Sequence, residues 1–109
     1  MKSSLIAVGT VITDSASKSA AYHTAVELKD ISVPAGTWLI ISYMDLNASG
    51  SGVYNHGLGT RIVRAPEGNG GGSINSLVVT GPTSVKLDVY HNISGGATAR
   101  ASYDMIRIK

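Results

Sequence analysis

The stretch Ser84-Val-Lys-Leu-Asp-Val-Tyr-His-Asn92 alternates strictly, with Val85, Leu87 and Val89 on one side and Lys86, Asp88 and Tyr90 on the other. A pleated strand, whose side chains point alternately to opposite faces, turns that order into one apolar face and one polar face. Residues 26–33 follow the same logic with one slip: the apolar positions are 26, 28, 31 and 33, which predicts a bulge near Lys29-Asp30. The turn Pro34-Ala-Gly36 then leads into a strand over residues 37–45. Further strands are expected at 53–55, 59–65, 74–80 and 98–108, with a first strand in the apolar run 5–12. The set amounts to about eight strands, the content of an antiparallel sandwich or jelly roll.

Composition supports an all-β chain of 109 residues forming one domain. Thirteen glycines disfavour helix interiors and mark turns, and the one segment that could be forced onto a helical wheel, residues 15–28, is too rich in serine and β-branched residues to hold a helix. The run 67–73, Glu-Gly-Asn-Gly-Gly-Gly-Ser, is expected to be a mobile surface loop. Without cysteine there is no disulfide framework, thiolate metal site or cysteine nucleophile. A net charge of +2 with no Lys/Arg cluster gives little support to nucleic-acid binding. No stretch approaches the ~20 apolar residues of a spanning helix, so membrane insertion is not expected.

Two segments break the alternation in an informative way. Trp38-Leu-Ile-Ile41 and Leu77-Val-Val79 are apolar on both faces. A small sandwich has one interior to fill, so the second face needs another partner, and the simplest is a copy of the same chain. The residues assigned to that interface are Trp38, Leu39, Ile41, Leu77 and Val79, joined by Tyr90 and Tyr103 from interface-type strands; the alternatives are that Trp38 anchors the core and that Leu39 and Ile41 lie under a neighbouring loop.

The segments Ile31-Ser-Val-Pro-Ala-Gly-Thr-Trp-Leu-Ile-Ile-Ser42, Ser84 to Gly96 with its Asn92-Ile-Ser-Gly-Gly96 hairpin, and the closing Tyr103-Asp-Met-Ile-Arg-Ile-Lys109 together resemble the C-terminal head domains of bacteriophage tail-fibre and baseplate receptor-binding proteins. Those heads are tumour-necrosis-factor-like, complement-type jelly rolls; Met105 stands where alanine is common. The resemblance implies a homotrimer that recognises a host cell-surface saccharide or other receptor without catalysing a reaction, on a phage virion. Similar modules end bacterial surface and spore-coat collagen-like proteins, which leaves a structural trimerisation module as the alternative.

Catalytic and metal signatures are missing from the sequence. His23, His56 and His91 lie far apart, the carboxylates are scattered, and no serine sits in a nucleophile elbow, so neither catalytic residues nor a metal or other cofactor are expected. Sugars are held by aromatic faces and planar hydrogen-bonding groups. Two clusters offer them: Tyr54-Asn55-His56 with Arg61 and Arg64, and His91-Asn92 with Arg100 beside the last hairpin.

Overall fold

The computed structural model describes residues 6–48, 50, 52–65 and 72–109. The described residues form six antiparallel strands: β1 (Val11–Ala20), β2 (Val26–Asn47), β3 (Tyr54–Leu58), β4 (Arg61–Ala65), β5 (Gly72–His91) and β6 (Ala97–Arg107), in the order β1-β6-β2-β5-β3-β4. There is no helix among them.

The fold's character comes from the two longest strands, which are paired with each other and bend together. Between Val33 and Gly36 the register of β2 against β5 shifts, and Gly36 faces Gly81. Residues 36–45 of β2 pair with 72–81 of β5 on one side, residues 38–47 of β2 pair with β6 on the other, and β6 carries β1, giving one sheet ordered β1-β6-β2-β5. Residues 26–33 and 83–91 of the same strands pair with each other, and β3 and β4 extend them into a second sheet ordered β2-β5-β3-β4. Bending two of six strands therefore produces eight segments in two four-stranded sheets, the connectivity of a jelly roll. The predicted strands 26–33 and 37–45 are halves of β2, and 74–80 and all but the last residue of 84–92 fall in β5. The expected bulge is present slightly earlier than Lys29-Asp30, at Leu28, where the register shifts between Glu27 and Lys29.

The bend is built from local chemistry. Gly36 has φ of +109°, a left-handed conformation that side chains resist, and the Arg107 side chain occupies the space a Cβ would take. The Trp38 indole N–H donates to the carbonyls of Pro34 (3.1 Å) and Ala35 (3.3 Å), so the largest core side chain also holds the turn. Gly36→Ala is expected to lower stability by about 1–3 kcal/mol, the usual effect of forcing a side chain into such a backbone, read as a lower urea midpoint at unchanged slope.

Facing sides of the two sheets enclose one core. Leu28, Ile31, Val33, Val85, Leu87 and Val89 of the second sheet meet Trp38, Ile40, Met44, Leu46 and Met105 of the first, all buried. The first strand begins later than expected. Val11 opens β1, residues 6–10 are outside any strand, and the rest of the predicted 5–12 run lies outside the described residues. The glycine-rich loop fares similarly: residues 67–71 lie outside the described residues, while Gly72 and Ser73 already belong to β5.

Polarity along the long axis matters for function. The strand ends Ala20, Val26, Asn47, Tyr54, Ala65, Gly72, His91 and Ala97 all lie at the same end of the sheets, the loop end. The bends, the β3–β4 turn and both described chain ends lie at the other. There the Gly9 N–H donates to Arg107 O (2.8 Å) and the Thr37 N–H to Lys109 O (2.9 Å). The molecule extends 54 × 19 × 19 Å, so the two ends are well separated.

Candidate functional site

Two surfaces stand out, one on the outer side of each sheet. In the first sheet the register aligns Val11 with Ile106, Ile106 with Leu39, and Leu39 with Val78. A row of four apolar side chains thus crosses all four strands on the side facing away from the core. Val11 is 53% exposed and Val78 57%; Ile41, Tyr43 and Ile74 continue the patch toward the loop end, where Tyr43 and Ile74 are 45% and 61% exposed. Beside them is an open hollow of about 660 Å³ lined by Tyr43, Ile74, Ser102 and Arg100, the last paired with Asp45 at 3.1 Å.

This placement sorts the predicted interface residues. Leu39 and Ile41 lie on the outer face as expected. Trp38 and Tyr103 do not: both are buried in the chain's own core and have no surface to offer a partner. Leu77 and Val79 pair with Ile40 and Trp38 and pack inward with them. Tyr90 is exposed, but on the outer side of the second sheet. Strands apolar on both faces do arise here, but local spacing does not reveal which phase points inward.

The second surface is that outer side, near the loop end. Asn55 of β3 sits between Arg64 of β4 and Tyr90 of β5, and these three with Val53, Tyr54 and Asn92 line a cleft of about 170 Å³. Asn92 is anchored there because its Oδ1 accepts the Val53 N–H at 2.9 Å. Tyr90 continues into the 21–25 connection: its ring lies nearly parallel to that of His23 with centroids 6.0 Å apart, and His23 stacks on Tyr22 at 3.9 Å. One row further from the loops the surface turns ionic, with Lys86 against Glu27 at 3.0 Å. Burial, and then the nearby Glu27 carboxylate, push the Asp88 carboxyl upward, while Lys86 opposes them.

Of the residues expected to bind ligand, Asn55, Arg64 and Asn92 come together in this cleft with Tyr54 at its wall. Arg61 begins β4 at the opposite end, and Arg100 lies on the other sheet. His56 and His91 are fully buried and cannot contact a ligand. Tyr54 is also turned inward; its hydroxyl donates to Met44 O (3.1 Å) and lies 3.0 Å from Ser73 Oγ, and burial raises its pKa. His56 bridges the two sheets, with Nε2 2.6 Å from Ser42 Oγ and Nδ1 2.9 Å from Ser73 Oγ. Asn75 Nδ2 donates to His56 O (3.0 Å) and Arg61 O (3.1 Å). His91 Nδ1 accepts the Ile93 N–H and Nε2 donates to Ala20 O, tying the last hairpin to β1.

A serine beside a histidine invites comparison with a nucleophile and its base. Ser42 and His56 are both fully buried, and the second ring nitrogen meets Ser73 rather than a carboxylate. The arrangement can brace two sheets against each other; it gives a substrate no route to the hydroxyl. Among the described residues no group of three His, Asp or Glu side chains is placed to hold a metal ion, and no helix is long and apolar enough to cross a membrane.

No family model matches the chain, and no curated protein matches it. Among solved structures it is similar to one described as "Bacillus endospore appendages form a novel family of disulfide-linked pili", with 12% identity, a TM-score of 0.54 and coverage of 100% of both chains. A second likeness is to the infectious bursal disease virus VP2 subviral particle, with 14% identity over 91% of this chain and 37% of that one; its TM-score of 0.44 is too low to carry an argument. At such identities a likeness speaks for the backbone arrangement alone, and the strand pairing defines that independently: the chain folds as an all-β antiparallel jelly roll.

Proposed function

We propose that this chain is a non-enzymatic head module that assembles with two copies of itself through the outer face of the β1-β6-β2-β5 sheet and turns its loop end toward a host-surface saccharide, as the tip of a phage tail fibre does. The observation that carries the reading is the apolar row Val11, Ile106, Leu39 and Val78 on the outer sheet face, where Val11 and Val78 are more than half exposed among the described residues. Leaving a large apolar side chain wet forfeits about 1.5–3 kcal/mol of burial, and a row of four is more than scattered surface residues explain. Assembly also suits the ligand side, because linked copies of a weak sugar site bind a multivalent cell surface far more tightly than one copy. Residues 9 and 107–109 lie at the pole opposite the cleft, which leaves the cleft end free to face a target.

A second reading is a structural module of a bacterial or spore surface with no ligand of its own. The full-length likeness to a spore-appendage subunit favours it. The disulfide linkage named for that protein does not transfer to this sequence, which has no cysteine, and under this reading the apolar row is the surface through which copies associate. A glycan array combined with binding to intact bacteria separates the two. Retention on glycans or on particular bacteria is expected for a receptor-binding head; silence on both would leave the structural module.

A further inference from the structure

We propose that the cleft between β3, β4 and β5 binds a single anionic sugar ring, with Arg64 holding the acidic group and Tyr90 supporting the ring. The proposal rests on the receptor-binding reading and names the ligand class that reading leaves open.

Size comes first. At about 170 Å³ the cleft is well below the ~300 Å³ at which pockets begin to hold drug-sized ligands, so it suits one ring at the end of a glycan rather than a buried oligosaccharide. Its lining then selects the chemistry. Arg64 is the one cation lining it, no carboxylate does, and among the described residues no acid lies within ion-pairing distance of Arg64. A guanidinium presents a planar fork of donors matched to carboxylate or phosphate oxygens. On one side Asn55 is its direct neighbour across the β3–β4 pair. On the other, Asn92 is fixed by its bond to Val53, which commits Oδ1 as an acceptor and leaves the amide NH₂ as donor toward the cleft. Uncharged donors beside a cation suit an anion bearing hydroxyls better than they suit a cation or an apolar ring.

Tyr90 provides the platform. It is 40% exposed, and the Tyr22–His23 stack approaches it from the loop. His23 holds this position with φ of +54°, a backbone conformation uncommon for residues with a Cβ, while its N–H donates to His91 O at 3.0 Å. Strain of this kind concentrates where a structure fixes a side chain for use. Asp88, one row away, is the opposing feature: its carboxylate covers Gly57 and would repel an anion placed there. The acidic group is therefore assigned to the loop side of the cleft, between Arg64 and Asn92.

The test is titration of the full chain by NMR with three probes, glucuronate, glucose 6-phosphate and glucose. The acidic rings are expected to bind at least about 10-fold more tightly than glucose, with shifts confined to residues around 53–55, 64 and 90–92. The preference between carboxylate and phosphate identifies the acidic group. Arg64→Ala is expected to abolish the preference, and Tyr90→Ala to weaken all three probes; both positions are exposed, so folding is checked by unchanged spectra elsewhere. Equal binding of glucose and the acidic rings, or an Arg64→Ala protein that keeps the preference, overturns the proposal, as does no binding of any probe. A glycan array that lights up with neutral sugars, unaffected by Arg64→Ala, would overturn the acidic site while leaving a receptor-binding head intact; a silent array would remove both.

Discussion

Val78→Lys is expected to turn an assembled protein into folded monomers. The side chain is more than half exposed and points away from the core, so the substitution removes nothing the single chain needs for folding. In an assembly the same position lies in the apolar row with Leu39 and Ile106, and an ammonium group there must either be desolvated without a partner or hold the subunits apart. Losing the burial of one valine costs about 1.5 kcal/mol or more, and trapping the charge costs several more. Three-fold symmetry would repeat both penalties at every copy. The outcome expected in size-exclusion chromatography with light scattering is a monomer mass at concentrations where the unaltered chain is assembled, with a β-sheet circular dichroism spectrum and melting still cooperative. Ser84→Lys, exposed on the half of β5 that belongs to the second sheet, is the control expected to leave assembly unchanged.

The second large effect is on stability as pH falls. His56 is buried between the sheets, and burial lowers its pKa from 6.5 to about 4. Its hydroxyl partners can serve as donors or acceptors, so the hydrogen bonds tolerate either ring state and desolvation decides the shift. Above pH about 6.5 the ring is neutral both folded and unfolded, and the proton has no effect on folding. As pH drops from there toward 4, the unfolded chain takes up a proton that the folded chain refuses. Stability is lost progressively across that window, by about 3 kcal/mol in total. Asp88 has its carboxyl raised by burial, so it acts in the opposite sense, gaining stability as pH falls through its own range. Urea unfolding from neutral pH down to pH about 4 should show the loss, and His56→Gln, which removes the titrating ring and keeps polar atoms near Ser42 and Ser73, should remove most of the slope. A slope unchanged in the variant would assign the acid sensitivity elsewhere.

Several features were legible in the chain because they are local. Val85, Leu87 and Val89 point into the core as their alternation requires, and the slip between Leu28 and Ile31 marks a real bulge. What local spacing could not supply was pairing. Pro34 to Gly36 and Gly81-Pro82 each read as the end of a strand, yet Gly36 pairs with Gly81, so the two strands turn together and continue into the second sheet. That coupling separates two positions 45 residues apart and leaves no trace in either one alone.

The binding residues were legible in part for a related reason. Asn55, Arg64 and Asn92 were recognisable as polar groups near turns, and the β3–β4 and β3–β5 pairings gather them. Tyr54 and His56 were read as surface groups on the same ground. Their phase argued otherwise: Tyr54, His56 and Leu58 alternate with Asn55 and Gly57, and the leucine marks the buried side. His91 shares its phase with Val85, Leu87 and Val89 in the same way. A polar residue in phase with the core of a β chain belongs to an internal hydrogen-bond network unless something brings it to the surface. Tyr90 shows the converse, since its exposure follows directly from lying out of phase with those three residues.

Self-assembly through the outer face of the first sheet is tested most directly by the mass of the unaltered chain in solution. Sedimentation equilibrium at micromolar concentration should give a trimer, three times 11.3 kDa or about 34 kDa. A single species of 11.3 kDa that persists as the concentration is raised would contradict it.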